Sequence, residues 1–299
     1  MAHKVPPENP ATWQDFGEML FKTKDSDPGY IVLNYLRESG VNENQLKRFA
    51  VAWCSYYNLG IAADASEKQG AKFYEYLNGV YETAKRATER RHFRGKAGLS
   101  ALSQWQGMFP KPEALADFMI HDDLADVRRA AQSVAQMGTY FVWKWGDLSE
   151  VLGQKSCKFD GYEKWSPKLP LEGARLIAEE AERPDMDVGQ VYRAIRREMV
   201  KRDVESPYAP WRNFGVQDSE TVCCVYKQYR SGSYRPGIRT AKAWARLGAA
   251  TSRTAHEARR MLIDGNVHYE EDEFQDILDG ALVLDPADVL AERVHQLPK

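Results

Sequence analysis

The sequence predicts an all-α, multi-helical protein. Three observations carry that prediction. Apolar residues recur at helical spacing along nearly the whole chain, convincing period-two strands are missing, and cap-type residues stand at the head of several periodic segments. At 299 residues the chain is long enough for one large domain or two of ordinary size, so two helical lobes are allowed.

The segments follow in order. Thr12–Lys22 spaces Trp13, Phe16, Met19 and Leu20 on one helical face, with Thr12 as its cap. Gly29–Glu38 is a second helix, and Asn42–Leu59 a third, started by Asn42 and carrying Leu46, Phe49, Ala50, Trp53 and Tyr56. Gly70–His92 reads as one long helix ending in a basic stretch. Leu99–Met108, Pro112–Ile120 and Asp123–Met137 follow, then a break at Gly138 and a helix over Tyr140–Leu152. The stretch 153–170, rich in Gly, Pro and Lys, reads as a long loop or lobe connection. Helices resume at Leu171–Glu182 and Val188–Arg202. Beyond irregular 203–214 they continue at Asp218–Tyr229, Ile238–Leu247 and Arg253–Leu262. One short helix near Phe274–Leu278 is expected in the tail. The domain expectation is a helical body over 1–263 and an acidic C-terminal tail over 264–299.

Net charge is −2, which argues against a general nucleic-acid binder, but the charges are segregated. Thr221–Arg246 holds six cations and no acid, whereas Asp264–Glu292 holds ten carboxylates. Four cysteines without CxxC spacing argue against a disulfide framework or a zinc site, and six scattered histidines give no metal-ligand spacing. No protein-bound metal and no cofactor are expected. No apolar run approaches the roughly 20 residues of a membrane span, and no signal-peptide pattern opens the chain.

Three constellations bear chemistry. Arg90, Arg91, Arg94 and Lys96, with Arg86 upstream, end at flexible Gly95 and Gly98. A helix C-terminus accommodates one or two cations through its dipole, and a charge run commonly just solvates a face. Four in seven positions also suit a phosphate clamp, since Arg binds oxyanions bidentately. In the second, Tyr140, Lys144 and Asp147 share a helical face that Trp143 and Trp145 do not. The plain account is an aromatic core helix; the chemical one is a Lys–Asp pair orienting a substrate. In the third, Glu220, Cys224 and Lys227 share a face at i, i+4, i+7, and the turn SGSYRPG (231–237) presents Tyr234 and Arg235. An exposed Glu–Lys ladder over inert cysteines accounts for the same pattern.

At this third stretch the sequence resembles the alpha-glutamyl/putrescinyl thymine pyrophosphorylase family of bacteriophages, the amino acid:DNA transferases. The resemblance is carried by Glu220-Thr221…Cys224, Tyr226-Lys227 and Tyr234-Arg235-Pro236-Gly237. Upstream, Trp143-Lys144…Asp147-Leu148 and Phe93-Arg94-Gly95 add to it. Val225 departs from the pattern, which has a basic residue directly after the cysteine.

The resemblance implies a fold distantly similar to helical DNA glycosylases and a transfer reaction in phage DNA hypermodification. The substrate would be DNA whose hydroxymethyluracil carries a pyrophosphate. An amino acid or polyamine displaces that pyrophosphate and bonds to the thymine methyl carbon. Localisation would be the cytoplasm of the infected bacterial host, with no membrane partner. In this scheme Arg90, Arg91, Arg94, Lys96, Lys144 and Arg235 meet pyrophosphate and DNA. Glu220 or Asp147 is the base for the amine, and Arg235 or Lys227 receives an amino acid's carboxylate. Cys224 or Cys223 is the candidate nucleophile at C6 of the pyrimidine, although direct displacement needs none. Tyr226, Tyr234 and Trp145 are the expected stackers for an extruded base. The competing expectations are a glycosylase-like base-processing protein and a non-catalytic DNA-binding helical phage protein. The latter would bind salt-dependently through 86–96 and 193–202.

Overall fold

In the computed structural model, residues 10–81, 95–265, 269 and 271–282 are described, and among them every regular element is a helix. The first three helices show why the local signals succeed. Thr12 Oγ1 accepts from Asp15 N at 3.2 Å to start α1 (Trp13–Lys22). Asp27 caps α2 (Pro28–Glu38) through Gly29 N at 3.2 Å, with Pro28 in the first turn where its missing N–H is harmless. Asn42 accepts from Gln45 N at 3.0 Å and starts α3 (Glu43–Tyr56). Seven successive residues of α3, Phe49 to Ser55, are buried, so this helix runs through the middle of the protein rather than along its surface.

The expected helix over 42–59 is in fact two. Tyr57 adopts the left-handed conformation (φ 53°), and Asn58 caps α4 (Leu59–Ser66) through Ile61 N at 3.1 Å. Hydrophobic periodicity continues across this break, which is why the sequence pattern runs through it. The long helix expected over 70–92 is described as α5 (Ala71–Gly79); the sequence Asn78-Gly79 ends it with two weak helix formers. The basic residues Arg86, Arg90, Arg91 and Arg94 lie outside the described residues.

The chain continues through α6 (Gly95–Met108), α7 (Pro112–Met119), α8 (Leu124–Gln132) and α9 (Thr139–Gly153). The stretch 154–167 is irregular, with one 3-10 turn at Glu163–Trp165. It is pinned to the head of α8 by Lys158 N to Asp122 O at 2.7 Å and Leu124 N to Lys158 O at 3.1 Å. Then come α10 (Lys168–Glu180), α11 (Val188–Lys201), α12 (Val216–Arg230), α13 (Ile238–Gly248), α14 (Arg253–Asp264) and α15 (Glu271–Leu282). The tail helix is thus longer than the expected 274–278, and it lies on α13 through Trp244 and Phe274, ring centroids 6.0 Å apart.

Two glycines set close crossings. A Cβ on Gly29 would collide with the Trp53 indole, so α2 crosses α3 nearly backbone to ring. A Cβ on Gly173 would strike the Cys223 carbonyl, which brings α10 directly onto α12. Among the described residues no helix is long and apolar enough to cross a membrane.

Candidate active site

The break at Tyr57 and the cap at Asp27 meet at one point. Asp27 Oδ2 accepts from Tyr57 OH at 2.9 Å and from Lys144 Nζ of α9 at 2.7 Å. The cap carboxylate therefore uses one oxygen for its own helix and the other for a lysine 117 residues away in sequence. Lys144 is walled by aromatic faces: its Nζ lies 4.9 Å from the Tyr30 centroid, 5.8 Å from Trp53, 5.5 Å from Tyr57 and 5.9 Å from Tyr140. Burial opposes the charge, yet Asp27 and the surrounding tyrosines outweigh it and hold the ammonium well above its ordinary value. Lys144 is therefore a fixed cation at neutral pH.

One turn along α9, Asp147 accepts from Tyr30 OH at 2.7 Å through Oδ2. Its Oδ1 is buried with no hydrogen-bond partner among the described residues. Burial pushes this carboxyl well above its usual range, against the pull of Lys144 and the Tyr30 hydrogen bond. Tyr30 and Tyr57 are themselves pushed up by burial and remain protonated donors.

Glu220 of α12 completes the cluster. Burial lifts its carboxyl to about 7, opposed by the positive fields of Lys144 and Arg239 and reinforced by Asp27. It retains partial exposure, whereas its neighbours Ser219 and Thr221 are buried. Arg239, in the first turn of α13, donates to the Ser26 carbonyl beside Asp27. The result is a partly open acid–base group in the field of two cations, and the rings of Tyr57 and Tyr140 that flank Lys144 are also only half-buried. A carboxyl titrating near neutrality in such a place is poised to take a proton from an incoming nucleophile.

A family model described as amino acid:DNA transferase matches residues 22–234, a span that takes in Asp27, Tyr57, Lys144, Asp147 and Glu220. The chain belongs to the amino acid:DNA transferase family. Two phage proteins are similar over most of their length. A putrescinyltransferase of Delftia phage PhiW-14 is 27% identical over 243 residues, covering 78% of this chain and 77% of the relative. A glycinyltransferase of Pseudomonas phage PaMx11 is 24% identical over 250 residues, covering 74% and 85%.

Within this family member, the structure gathers some of the sequence-derived candidates and separates others. Glu220, Lys144 and Asp147 share one electrostatic cluster. Cys224 lies one turn from Glu220, partly exposed, with Gln228 Nε2 at 3.9 Å from its sulfur. Cys223 faces the core, and burial pushes its thiol well up, so Cys224 is the accessible member of the pair. Lys227 is half-buried two turns beyond Glu220, Arg235 is exposed in the turn before α13, and Lys96 is exposed in the first turn of α6. Arg90, Arg91 and Arg94 lie outside the described residues.

The three expected stackers are corrected by burial. Trp145 is 0%, Tyr226 1% and Tyr234 3% exposed, so none offers a ring face to a base. Tyr226 donates to Glu180 at 2.5 Å and sits in an aromatic cluster with Phe16 and Tyr229. Tyr234 turns inward to donate to Asp25 at 2.6 Å. That buried Asp25 also receives Gly237 N at 3.0 Å and Thr240 N at 2.7 Å, filling the N-terminus of α13 with an internal carboxylate. Sequence reasoning missed Asp27, Tyr57, Tyr30 and Arg239; the one available signal was Asp27-Pro28-Gly29, a helix start directly beside a charged pair. Among the described residues no group of three His, Cys, Asp or Glu is arranged to hold a metal ion.

Proposed function

We propose that this chain attaches an amine, from an amino acid or a polyamine, to the thymine methyl carbon in DNA by displacing pyrophosphate. The observation that carries the proposal is Glu220, lifted by burial to about 7 against the fields of Lys144 and Arg239, in a member of the transferase family. The names of the putrescinyl- and glycinyltransferase relatives support an amine as the nucleophile.

The attacking nitrogen must present a lone pair, so the ammonium form present near neutrality has to lose a proton. Glu220, partly deprotonated at pH 7, takes it. The nitrogen then bonds to the exocyclic methylene carbon as the carbon–oxygen bond to pyrophosphate breaks, and the bonding pair leaves on the oxygen. The second proton of the new secondary ammonium passes to solvent. Charge growing on the departing oxygen is met by Lys144, kept cationic by Asp27, whose Oδ2 is itself held by the Tyr57 hydroxyl, together with Arg239; fixed charges of this kind act without reorganising. The 90–96 cations, exposed Lys96 among them, and Arg235 would draw the released pyrophosphate outward. Tyr57 and Tyr140, partly exposed beside the cluster, replace the buried trio as faces for an extruded pyrimidine. The reaction places the protein with phage DNA in the infected host's cytoplasm.

The test is nucleoside mass spectrometry. DNA containing 5-hydroxymethyluracil is pyrophosphorylated by a phage kinase and ATP, then incubated with this protein and a pool of amino acids and polyamines. The expected outcome is a thymidine adduct whose mass names the amine, with stoichiometric pyrophosphate. Kinase-treated DNA returned without adduct from a folded protein would overturn the proposal.

A further inference from the structure

The irregular stretch 154–167 is tied at its end to both helices that carry the reacting cluster. Trp143 Nε1, next to Lys144 on α9, donates to the Trp165 carbonyl at 2.8 Å. At the following residue, Ser166 Oγ accepts from Tyr192 OH of α11 at 2.9 Å. The Tyr192 carbonyl in turn accepts from Ser219 Oγ, the neighbour of Glu220 on α12, at 3.2 Å. Hydrogen bonds of this kind hold the turn Glu163–Trp165 in a fixed relation to Lys144 and Glu220.

The turn carries a stack. Tyr162 and Trp165 lie ring on ring, with centroids 4.5 Å apart at 20°, and the Arg128 guanidinium of α8 sits 4.3 Å from the Trp165 centroid. Both rings are half-buried, and Arg128 is exposed. Stacking uses the face of a guanidinium and leaves the N–H donors around its edge free. Arg128 makes no ion pair or hydrogen bond among the described residues, so those donors are uncommitted while the plane that carries them is already set.

Arg193 of α11 reaches the same turn from the other side. A Cβ built on Gly189 would stand 3.3 Å from Arg193 Nη1 and 3.7 Å from the Glu163 carboxyl carbon. Glu163 is thus close, yet no ion pair joins it to Arg193. Arg193, Lys164 in the turn itself and Arg197 one helical turn on are all exposed, and none has an ion pair among the described residues. Neighbouring cations are spent differently. Lys155 pairs with Asp122 at 2.6 Å, Lys158 with Asp123 at 3.6 Å and Arg196 with Asp160 at 3.4 Å. A frame of neutralised pairs therefore surrounds a few unpaired cations, and uncompensated positive charge beside a reaction centre suits an oxyanion partner.

We propose that Arg128, stacked on Trp165, and Arg193 across the turn bind phosphates of the DNA backbone and hold the strand beside the Lys144–Glu220 cluster. The inference rests on the transferase reading for its partner, but its test does not need the transfer reaction. Binding of an unmodified duplex, which carries no pyrophosphate, is followed by fluorescence anisotropy from about 50 to 200 mM salt. Arg128→Gln with Arg193→Gln is compared with Arg253→Gln plus Arg260→Gln, two exposed arginines of α14 that remove the same charge; circular dichroism checks the helical fold of each. Loss of two backbone contacts flattens the slope of log K against log salt by about 1.8 in the first variant, at ~0.9 per phosphate, and leaves the α14 variant near wild type. An unchanged slope in the first variant overturns the proposal. So does an equal loss in both variants, which would report net charge and not a site, or wild-type binding that ignores salt. A second arm competes the duplex with inorganic pyrophosphate. If the first variant keeps the full DNA slope and loses only pyrophosphate competition, the arginines serve the leaving group and the backbone assignment is wrong. Wild-type protein that binds with the expected slope yet forms no adduct sinks the transferase reading alone.

Discussion

Two buried ion networks meet back to back in this protein, and they are finished to different degrees. In the first, Arg212 bridges Glu150 of α9 and Asp218 of α12, with both carboxylates fully buried and the arginine side chain 9% exposed. Every carboxylate oxygen there has donors. Glu150 receives Cys157 N at 2.9 Å, Arg212 Nε at 2.8 Å and Gln217 Nε2 at 2.7 Å. Asp218 receives Gly215 N at 2.7 Å and Tyr208 OH at 2.9 Å besides Arg212. In the second network Lys144 and Asp27 are just as close, but Asp147 keeps a bare buried oxygen and Glu220 is lifted toward neutrality. The Tyr30 and Tyr208 rings, 5.0 Å apart, form the wall between them, each giving its hydroxyl to a carboxyl on its own side. A network whose members are all satisfied holds helices in place; one left partly unsatisfied retains capacity for a proton or a ligand.

The largest effect that separates the two is loss of the fold. Arg212→Ala leaves Glu150 and Asp218 buried without their cation, which costs about 3–5 kcal/mol. Against a total stability of about 5–15 kcal/mol, a thermal melt should fall by roughly 5–8 °C. A wild-type melt for this variant would mean that the two networks do not differ in structural role.

Next in size is a purely catalytic loss. Glu220→Gln keeps the shape of the side chain but removes the base, so adduct formation should drop by about 10²–10⁴. Its melting temperature should hold or rise, opposite to the Arg212 variant. Adduct formation at the wild-type rate would remove Glu220 from the mechanism.

The pH response is smaller and has a fixed sign. Because the folded-state carboxyl of Glu220 is raised from 4.5 to about 7, the native protein holds a proton that the unfolded chain has released. Stability from this group is therefore complete below about 4.5 and is lost as pH rises through about 7. Urea unfolding at pH 5 and pH 8 should show Glu220→Gln gaining about 1–3 kcal/mol over wild type at the higher pH only. An equal difference at both pH values would place the Glu220 carboxyl in its ordinary range. The rate of transfer should run the other way, rising to a plateau above about pH 7 as the base deprotonates.

The comparison also explains which parts were legible in the sequence. Helix starts at Thr12 and Asn42 are local events, set by one side chain and a backbone amide three residues on, and they fall where the pattern puts them. Lys144, Asp147 and Glu220 stand out because a charged residue within an aromatic helix face breaks the pattern around it. Asp27 and Tyr57 do not stand out. Asp27 looks like an ordinary cap, and its contact with Lys144 depends on how α2 and α9 are packed, which no window of sequence contains. Tyr57 sits in a left-handed break that apolar periodicity runs straight across. The stackers fail for a related reason: spacing places Tyr226, Tyr234 and Trp145 on helices or turns but does not say which side faces the core.

The smallest expected effect belongs to Cys224, and it sharpens the chemistry of the open network. Direct displacement requires only a base, a cation for the leaving group and a held substrate, all of which the Glu220–Lys144–Arg239 cluster supplies. Under that route Cys224→Ser lowers adduct formation by less than about tenfold, under ~1.4 kcal/mol in the barrier. The alternative route adds the thiolate to C6 of the pyrimidine, expels pyrophosphate through the conjugated ring, and loses the sulfur once the amine has added. It requires the sulfur throughout, since a serine hydroxyl is a far weaker nucleophile at its ordinary pKa. Cys224 is the accessible thiol one turn from Glu220, so the question is decided at this residue. A fall as large as that of Glu220→Gln, with a protein–DNA adduct trapped on a denaturing gel for wild type and absent for the serine variant, would replace direct displacement with covalent catalysis.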